Sequence, residues 1–202
     1  AGVAYNATLM PLRVLGLNDE GTNDDIANAI LYAAGLPNSS GLLPSKRADV
    51  INLSLGGPDR SETFASAIND ALEVGVIIVA AAGNESTSTD FYPAAFEGVV
   101  GVSSVTDNKT LSTFSNFGSK IDVAAPGGSG SGDSLFGGIL STLFASEYAE
   151  FSGTSMAAPH VAGIAALMKS VKPSLTQAQF SNALASGELT DDIGNPGKDE
   201  SF

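Results

Sequence analysis

The chain has 202 residues, of which 43% are hydrophobic and 15% charged, so it is long enough to bury one sizeable core. Its 22 acidic and 9 basic residues give a net charge of −13, which argues against binding to nucleic acid or to an anionic membrane. The sequence has no cysteine, which excludes disulfides and a thiol nucleophile, and it has no apolar run that could span a bilayer. These features predict a soluble globular domain.

Apolar runs alternate with helical patterns along the chain, which predicts an α/β fold. In that fold a doubly wound, mostly parallel sheet is covered by helices on both faces. The predicted strands are residues 8–15, 50–53, 76–81, 99–105 and 121–123. The predicted helices are residues 23–34, 61–74, 155–169 and 176–185. Residues 139–143 and 148–151 predict a hairpin, and the glycine-rich stretch 127–134 predicts a mobile loop that binds nothing.

One stretch, residues 153–163, reads Gly-Thr-Ser-Met-Ala-Ala-Pro-His-Val-Ala-Gly and is the most informative in the chain. Gly153 allows a sharp turn, and Ser155 then opens a helix rich in small residues. Free backbone N–H groups and the positive end of the helix dipole would favour an oxyanion at that position. The pattern therefore predicts a nucleophilic serine, whereas a serine beside a glycine with no such motif would be interpreted as a helix cap.

This stretch resembles the nucleophile motif of the subtilisin-like serine endopeptidases, the subtilase family. The resemblance extends over nearly all of the chain. It implies a serine endopeptidase that hydrolyses peptide bonds through an acyl-enzyme on Ser155. It also implies that residues 1–202 are the C-terminal portion of a single subtilisin-like catalytic domain.

A second segment, which ends Ala-Ala-Gly-Asn at residues 81–84, also resembles the family. In the family the asparagine side chain of this segment donates a hydrogen bond to the oxyanion, together with the backbone N–H of the nucleophile. Carried onto this chain, the oxyanion hole consists of Asn84 and the N–H of Ser155. Considered without the serine motif, Gly83-Asn84 is a common turn dipeptide.

Substrate-binding residues are also implied by the resemblance, at the end of the second predicted strand. The edge on which a peptide would lie extended comprises Ser54, Leu55, Gly56 and Gly57. One wall of the first pocket would be formed by Ala81, Ala82 and Gly83. Pairing through the backbone predicts broad specificity, and small residues in the wall predict room for a large apolar group. Residues 19–21 could form the opposite edge strand or an ordinary acidic loop.

The catalytic base is the element that the sequence does not supply. His160 is the only histidine, and it lies five positions after Ser155 on the same predicted helix, so it cannot easily reach the hydroxyl. In the family, the histidine at this place packs, and the catalytic aspartate and histidine come earlier in the chain. Gly2-Val3-Ala4 resembles the segment that follows that catalytic histidine. We therefore expect an incomplete fold that is inactive alone.

The expected partners are a peptide or protein substrate and either a complementary N-terminal fragment or a second copy of the chain. In the family, the strand that carries the catalytic aspartate lies between the strands that match residues 8–15 and 50–53, so the resemblance implies that the partner chain would restore it. No cofactor or metal is expected in the chemistry, although the resemblance allows a structural calcium ion near Tyr92 and Pro93. The expected location is secreted. Two alternatives stay open: a non-catalytic peptide-binding module, and a structural fragment produced by nicking.

Overall fold

Four parallel strands form the main sheet of the computed structural model, which describes residues 2–18, 20–130 and 137–191. The strands are β1 (Val50–Leu53), β2 (Ile77–Ala81), β3 (Val100–Val105) and β4 (Val123–Pro126), and they lie side by side in chain order. Val79 pairs with Asn52 on one side and with Val100 on the other. Because all four strands run the same way, their carboxyl ends meet at one edge of the sheet.

Helices cover both faces of this sheet, as predicted. The helices are α1 (Asn23–Ala33), α2 (Glu62–Glu73), α3 (Thr154–Val171) and α4 (Gln177–Ala185). Side chains of β2 alternate between two cores: Ile78 packs with residues of α1 and α2, whereas Val79 packs with residues of α3 and α4. All five β2 residues are buried, which explains their continuous apolar run. The α/β assignment is confirmed.

The helix starts follow local capping chemistry. The side chains of Thr22 and Ser61 accept hydrogen bonds from the backbone at the first turns of α1 and α2. Thr176 and Gln179 form a reciprocal capping box at the start of α4. α3 has no side-chain cap, because it begins directly after Gly153. The structure describes no helix in these residue ranges that is long and apolar enough to cross a membrane.

The predicted strand at residues 8–15 is wrong, because the segment joins no ladder among the described residues. Met10 and Val14 pack against the core beside α1 and α2, but Leu9 is 84% exposed. A strand requires a hydrogen-bonded neighbour, and β1 pairs only with β2, so its second edge is unpaired in the described sheet. The segment therefore has the composition of a strand and no partner.

The last predicted strand of the sheet is displaced along the chain. The sequence predicts it at residues 121–123, but β4 begins at Val123. The N–H of Ile121 closes a turn on Gly118, and the Asp122 carboxylate accepts a hydrogen bond of 2.8 Å from the N–H of Gly101. These bonds commit residues 121 and 122 to a loop, so pairing starts only after them.

A two-stranded hairpin leads into the serine motif, as predicted. Strands β5 (Ile139–Thr142) and β6 (Tyr148–Phe151) pair antiparallel and are joined by a 3-10 turn at Phe144–Ser146. Only part of the glycine-rich stretch 127–134 can be compared with its prediction, because residues 131–134 lie outside the described residues. β6 ends three residues before α3, so the hairpin delivers the chain to the serine.

Lys169 anchors the last turns of α3. It is only 8% exposed, and its Nζ donates a hydrogen bond of 3.0 Å to the carbonyl oxygen of Gly75. Burial lowers the pKa of this amine from 10.5; the charge of Arg47 acts in the same direction, while that of Asp49 opposes it. A lowered pKa means that the unfolded chain binds the proton more tightly, so stability rises with pH below 10.5.

We expect the Lys169→Met variant to lack this dependence. The difference in melting temperature, wild type minus variant, should increase as the pH is raised from neutral toward 10.5. Thermal melts at several pH values measure it, and Lys172→Met, which changes an exposed lysine at the end of the same helix, is the control. A difference that stays constant over this range would contradict the assignment.

Candidate active site

The serine turn places Ser155 as the second residue of α3, half-buried at the carboxyl edge of the sheet. The N–H groups of Met156 and Ala157 both turn back to the carbonyl oxygen of Gly153, at 3.0 and 3.4 Å. The N–H of Ser155 has no acceptor among the described residues. A donor is therefore left at the helix start, where the dipole favours negative charge.

Asn84 lies next to this donor, because two hydrogen bonds tie its side chain to Thr154. The backbone N–H and the hydroxyl of Thr154 both donate to Asn84 Oδ1, at 2.9 and 3.0 Å. Thr154 is fully buried, and its hydroxyl also accepts a bond of 3.1 Å from the N–H of Gly83. With Oδ1 held in this way, the Nδ2 hydrogens of the exposed carboxamide are the groups left to face an incoming molecule.

Ser54 joins the end of β1 to the same turn. Its hydroxyl donates a hydrogen bond of 2.8 Å to the carbonyl oxygen of Ser155, and its own carbonyl oxygen lies 3.5 Å from Ser155 Oγ. The structure therefore brings together Ser155, Asn84 and Ser54, three residues that the sequence predicted for one site. They come from the ends of neighbouring strands and from the helix that crosses them.

His160 does not join this group. Its Nδ1 lies 2.8 Å from the carbonyl oxygen of Met156, one turn earlier in α3. A carbonyl oxygen can only accept, so Nδ1 carries the proton and the ring is held against its own helix. No hydrogen bond links this ring to Ser155 among the described residues.

A polar network fixes the loop that carries Asn84. Asn116 is 2% exposed, and its Nδ2 donates to the carbonyl oxygen of Ala82 at 2.9 Å and to Glu85 Oε2 at 2.8 Å. Its Oδ1 accepts bonds from the N–H groups of Glu85 and Thr87. The Glu85 carboxylate in turn accepts a bond of 2.8 Å from the N–H of Asn84. One buried amide therefore holds both ends of the loop.

The first pocket differs from its prediction, because the ring of Phe91 occupies the space between Gly56 and Gly83. A side chain built on Gly56 would lie 2.5 Å from that ring, and one built on Gly83, whose φ is +103°, would lie 3.0 Å from it. Both walls therefore require glycine. Ala81 and Ala82 are 3% and 1% exposed, so they pack inside the protein. The expectation of room for a large apolar group does not fit this arrangement.

Only part of the predicted peptide edge is available to a substrate. Gly57 forms two backbone hydrogen bonds with Tyr92, of 2.9 and 2.8 Å, so its N–H and carbonyl are already paired. Ser54 and Leu55 are half-buried and Gly56 is exposed, so residues 54–56 are the part that faces solvent. Of the predicted opposite edge, residue 19 lies outside the described residues. The carbonyl of Glu20 accepts from the N–H of Gly16 in a turn, which favours the acidic-loop interpretation.

The calcium ion expected near Tyr92 and Pro93 would bind backbone carbonyl oxygens. The Tyr92 carbonyl accepts the N–H of Gly57, and the described ranges contain no group of three or more His, Asp or Glu side chains that could hold a metal; neither observation tests a carbonyl site. A structural calcium ion stays a prediction, and no chemical step is derived through it.

Sequence reasoning missed three residues of this site. Thr154 lies inside the serine motif, and a threonine between Gly153 and Ser155 was the available signal; the structure shows that it is buried. Asn116 and Phe91 had no such signal, since each reaches the site only through the course of a loop.

Replacement of Asn116 tests whether the network supports the loop. The variant Asn116→Ala would leave the Ala82 carbonyl and the N–H groups of Glu85 and Thr87 without their partner, so we expect the free energy of unfolding to fall by about 2 to 3 kcal/mol. Denaturant unfolding measures the change. The exposed Asn182 of α4, replaced by alanine, is the control, and equal losses in the two variants would refute the role of Asn116.

Comparisons with known proteins agree with this geometry. Residues 1–201 match the sequence profile of the Subtilase family of peptidases. The chain is 45% identical over 170 residues to the thermophilic serine proteinase of Bacillus sp. (strain AK1). It is 42% identical over 182 residues to an extracellular protease of Xanthomonas campestris pv. campestris. A solved structure of a protease from Pseudoalteromonas arctica PAMC 21717 superimposes with a TM-score of 0.87 at 45% identity.

These matches cover most of this chain and a smaller share of each relative. The three alignments include 84%, 86% and 92% of this chain, and 38%, 30% and 57% of the respective relatives. The profile match and the superposition agree on the fold. The chain belongs to the subtilase family of serine peptidases.

Proposed function

We propose that this chain carries the nucleophile and the oxyanion hole of a serine endopeptidase. The observation that carries the proposal is the pair of hydrogen bonds from Thr154 to Asn84 Oδ1, because they engage the oxygen of the carboxamide and leave Nδ2 as its donor beside Ser155. A structural serine would not need a neighbouring exposed amide held in one orientation. The substrate is a peptide or protein that lies along residues 54–56.

The proposed reaction begins when Ser155 Oγ attacks a peptide carbonyl carbon and loses its proton to a base. The carbonyl oxygen becomes an oxyanion that accepts hydrogen bonds from Asn84 Nδ2 and from the N–H of Ser155. The C–N bond then breaks, and the amine leaves with the proton. Water hydrolyses the resulting ester and returns Ser155 to its hydroxyl form. Each donor is already in place before the substrate arrives.

The base is proposed to come from another polypeptide segment. The sequence has one histidine, and that ring is bonded to Met156 within α3. In subtilisin, removal of the catalytic histidine alone lowers kcat by about two million-fold, or about 8.6 kcal/mol. Binding and an oxyanion hole do not replace that contribution, so we propose that the chain alone is close to inactive.

A complementary N-terminal segment fits this requirement better than a second copy, because a second copy would bring only the same single histidine. The edge of β1 that is unpaired in the described sheet supports a strand from outside, and residues 8–15 have the composition of a second neighbour. Val3 lies against Gly163 of α3, so polypeptide attached at this end would run beside the helix that carries Ser155.

Specificity is proposed to be broad along the peptide and narrow at one subsite. Pairing with residues 54–56 would read the substrate backbone, which every peptide has. The residue whose carbonyl is attacked would meet the ring of Phe91, which lies against both Gly56 and Gly83. We propose a preference for small side chains at this subsite.

A secreted location is proposed with the activity. One relative is named an extracellular protease, and the net charge of −13 does not favour nucleic acid or anionic membranes as partners.

Covalent labelling tests the nucleophile and the origin of the base together. A fluorophosphonate transfers its phosphonyl group to an activated serine oxygen with loss of fluoride. We expect stoichiometric labelling at Ser155, located by peptide mass spectrometry, when a segment with a subtilase aspartate and histidine is added, and labelling at least about 1000-fold slower without it. Ser152→Ala, which changes an exposed neighbouring serine, is the matched control and should label fully.

The two parts of the proposal fail separately. No labelling in the presence of a segment that binds the chain would overturn the endopeptidase and favour the peptide-binding alternative. Equal rates with and without the segment would overturn the external base.

Replacement of Phe91 tests the small subsite. The variant Phe91→Ala removes the ring between Gly56 and Gly83. For this variant, the ratio of kcat/KM for a peptide with phenylalanine as the residue whose carbonyl is attacked to kcat/KM for the same peptide with alanine there should rise by about tenfold or more. Peptide substrates that differ only at this position measure the ratio, in the enzyme completed with the base-carrying segment. Phe144→Ala, at an 85% exposed ring of the hairpin turn, is the control. An unchanged ratio would refute the assignment.

A further inference from the structure

Pro159 occupies the position in α3 whose backbone N–H would normally donate to the carbonyl oxygen of Ser155. In a regular helix, the carbonyl oxygen of residue 155 accepts the N–H of residue 159. Residue 159 is Pro159, which has no N–H and whose ring pushes against the carbonyl four residues earlier. The helix nevertheless continues through this position to Val171. The carbonyl of Ser155 therefore lacks its usual helical donor.

Ser54 supplies the missing donor from outside the helix. Its hydroxyl donates to the carbonyl oxygen of Ser155 at 2.8 Å. Asn52 Nδ2 lies 3.0 Å from the same hydroxyl oxygen and can only donate, so the single hydroxyl hydrogen is left for Ser155. Asn52 and Ser54 are two residues apart along the line of β1, so they share the face on which α3 packs.

We propose that Ser54 is a positioning residue for the nucleophile, coupled to it through Pro159. Because Pro159 has no N–H, the carbonyl of Ser155 is left without a helical donor. The hydroxyl of Ser54 donates to this carbonyl and so connects the backbone of the nucleophile to the end of β1. The proposal rests on the proposed function, since it assigns a role within that site, and it differs from substrate binding, which would use the Ser54 backbone.

The arrangement explains why a helix start would include a residue that weakens it. A helical hydrogen bond would satisfy the Ser155 carbonyl but would leave α3 free to shift relative to β1. The hydroxyl of Ser54 crosses between the two elements and keeps Ser155 Oγ within 3.5 Å of the Ser54 carbonyl. A displacement of about 1 Å at a reacting group is enough to lower a rate about 100-fold, so this connection has a kinetic consequence.

The test is a double-mutant cycle between Ser54→Ala and Pro159→Ala. In the enzyme completed with its base-carrying segment, Ser54→Ala should lower kcat by about tenfold and leave KM within about twofold, because the substrate meets the backbone of residue 54. Pro159→Ala returns an N–H to the Ser155 carbonyl. In that background the effect of Ser54→Ala should shrink to about twofold. Ser54→Thr keeps the hydroxyl and should retain most of the activity.

Melting temperatures of the 202-residue chain provide the second readout. Ser54→Ala should lower the melting temperature of the chain that keeps Pro159, and lower it by less than half as much in the Pro159→Ala background. Ser170→Ala is the control, because Ser170 Oγ donates to the carbonyl of Leu167 at the far end of the same helix, and its effect should be the same in both backgrounds.

The outcomes separate this inference from the proposed function. Equal effects of Ser54→Ala with proline and with alanine at position 159 would overturn the coupling, as would a rise in KM with unchanged kcat. A completed wild-type enzyme that hydrolyses no peptide would overturn the proposed function, and the melting cycle would then decide the inference alone. A reduced effect in the Pro159→Ala background would support it.

Discussion

The proposed active site depends on the contact between Thr154 and Asn84, because this contact joins the start of α3 to the loop that follows β2. Two donors of one residue bind a single amide oxygen, and the threonine that provides them is fully buried. The carboxamide therefore cannot rotate without breaking both bonds. Donors that are fixed before a charge develops need no reorganisation when it appears, and this is the main source of oxyanion stabilisation.

The parallel sheet makes this contact attainable. Strands that run in one direction end at one edge, so the loops after β1 and β2 both approach the first turn of α3. The same helix packs against all four strands through small side chains, which brings the serine close to the sheet. The network around Asn116 then holds the second loop from behind. The positions of these groups therefore follow from the sheet and from the network that holds the loop of Asn84.

The sequence predicted those features whose cause is local. Ser155 and Asn84 lie in compact motifs, and the apolar runs of β1, β2 and β3 mark strands that are buried on both faces. Residues 8–15 have a similar composition, but a strand also needs a neighbouring strand, and the sequence of the segment does not indicate whether one is present. Phe91 was missed for a similar reason, since the course of a distant loop decides that its ring fills the predicted pocket. Periodicity cannot indicate which ring enters which space.

The proposed site combines groups that this chain holds rigid with a base that another segment brings. The groups that the proposed mechanism requires to be rigid, namely the backbone of Ser155 and the side chain of Asn84, are held by hydrogen bonds within this chain. The group that must move a proton is proposed to come from another segment, since Nδ1 of the single imidazole is bonded to the carbonyl oxygen of Met156. A segment that adds a strand at β1 would therefore not need to build an active site, but only to bring a base to one that already has its shape.

Backbone hydrogen bonds along β1 would fix the register of that segment, and they would position it more accurately than a contact with a loop would. The edge of β1 has no partner strand among the described residues and would otherwise favour aggregation; under this proposal it is the surface that sets the distance between base and nucleophile.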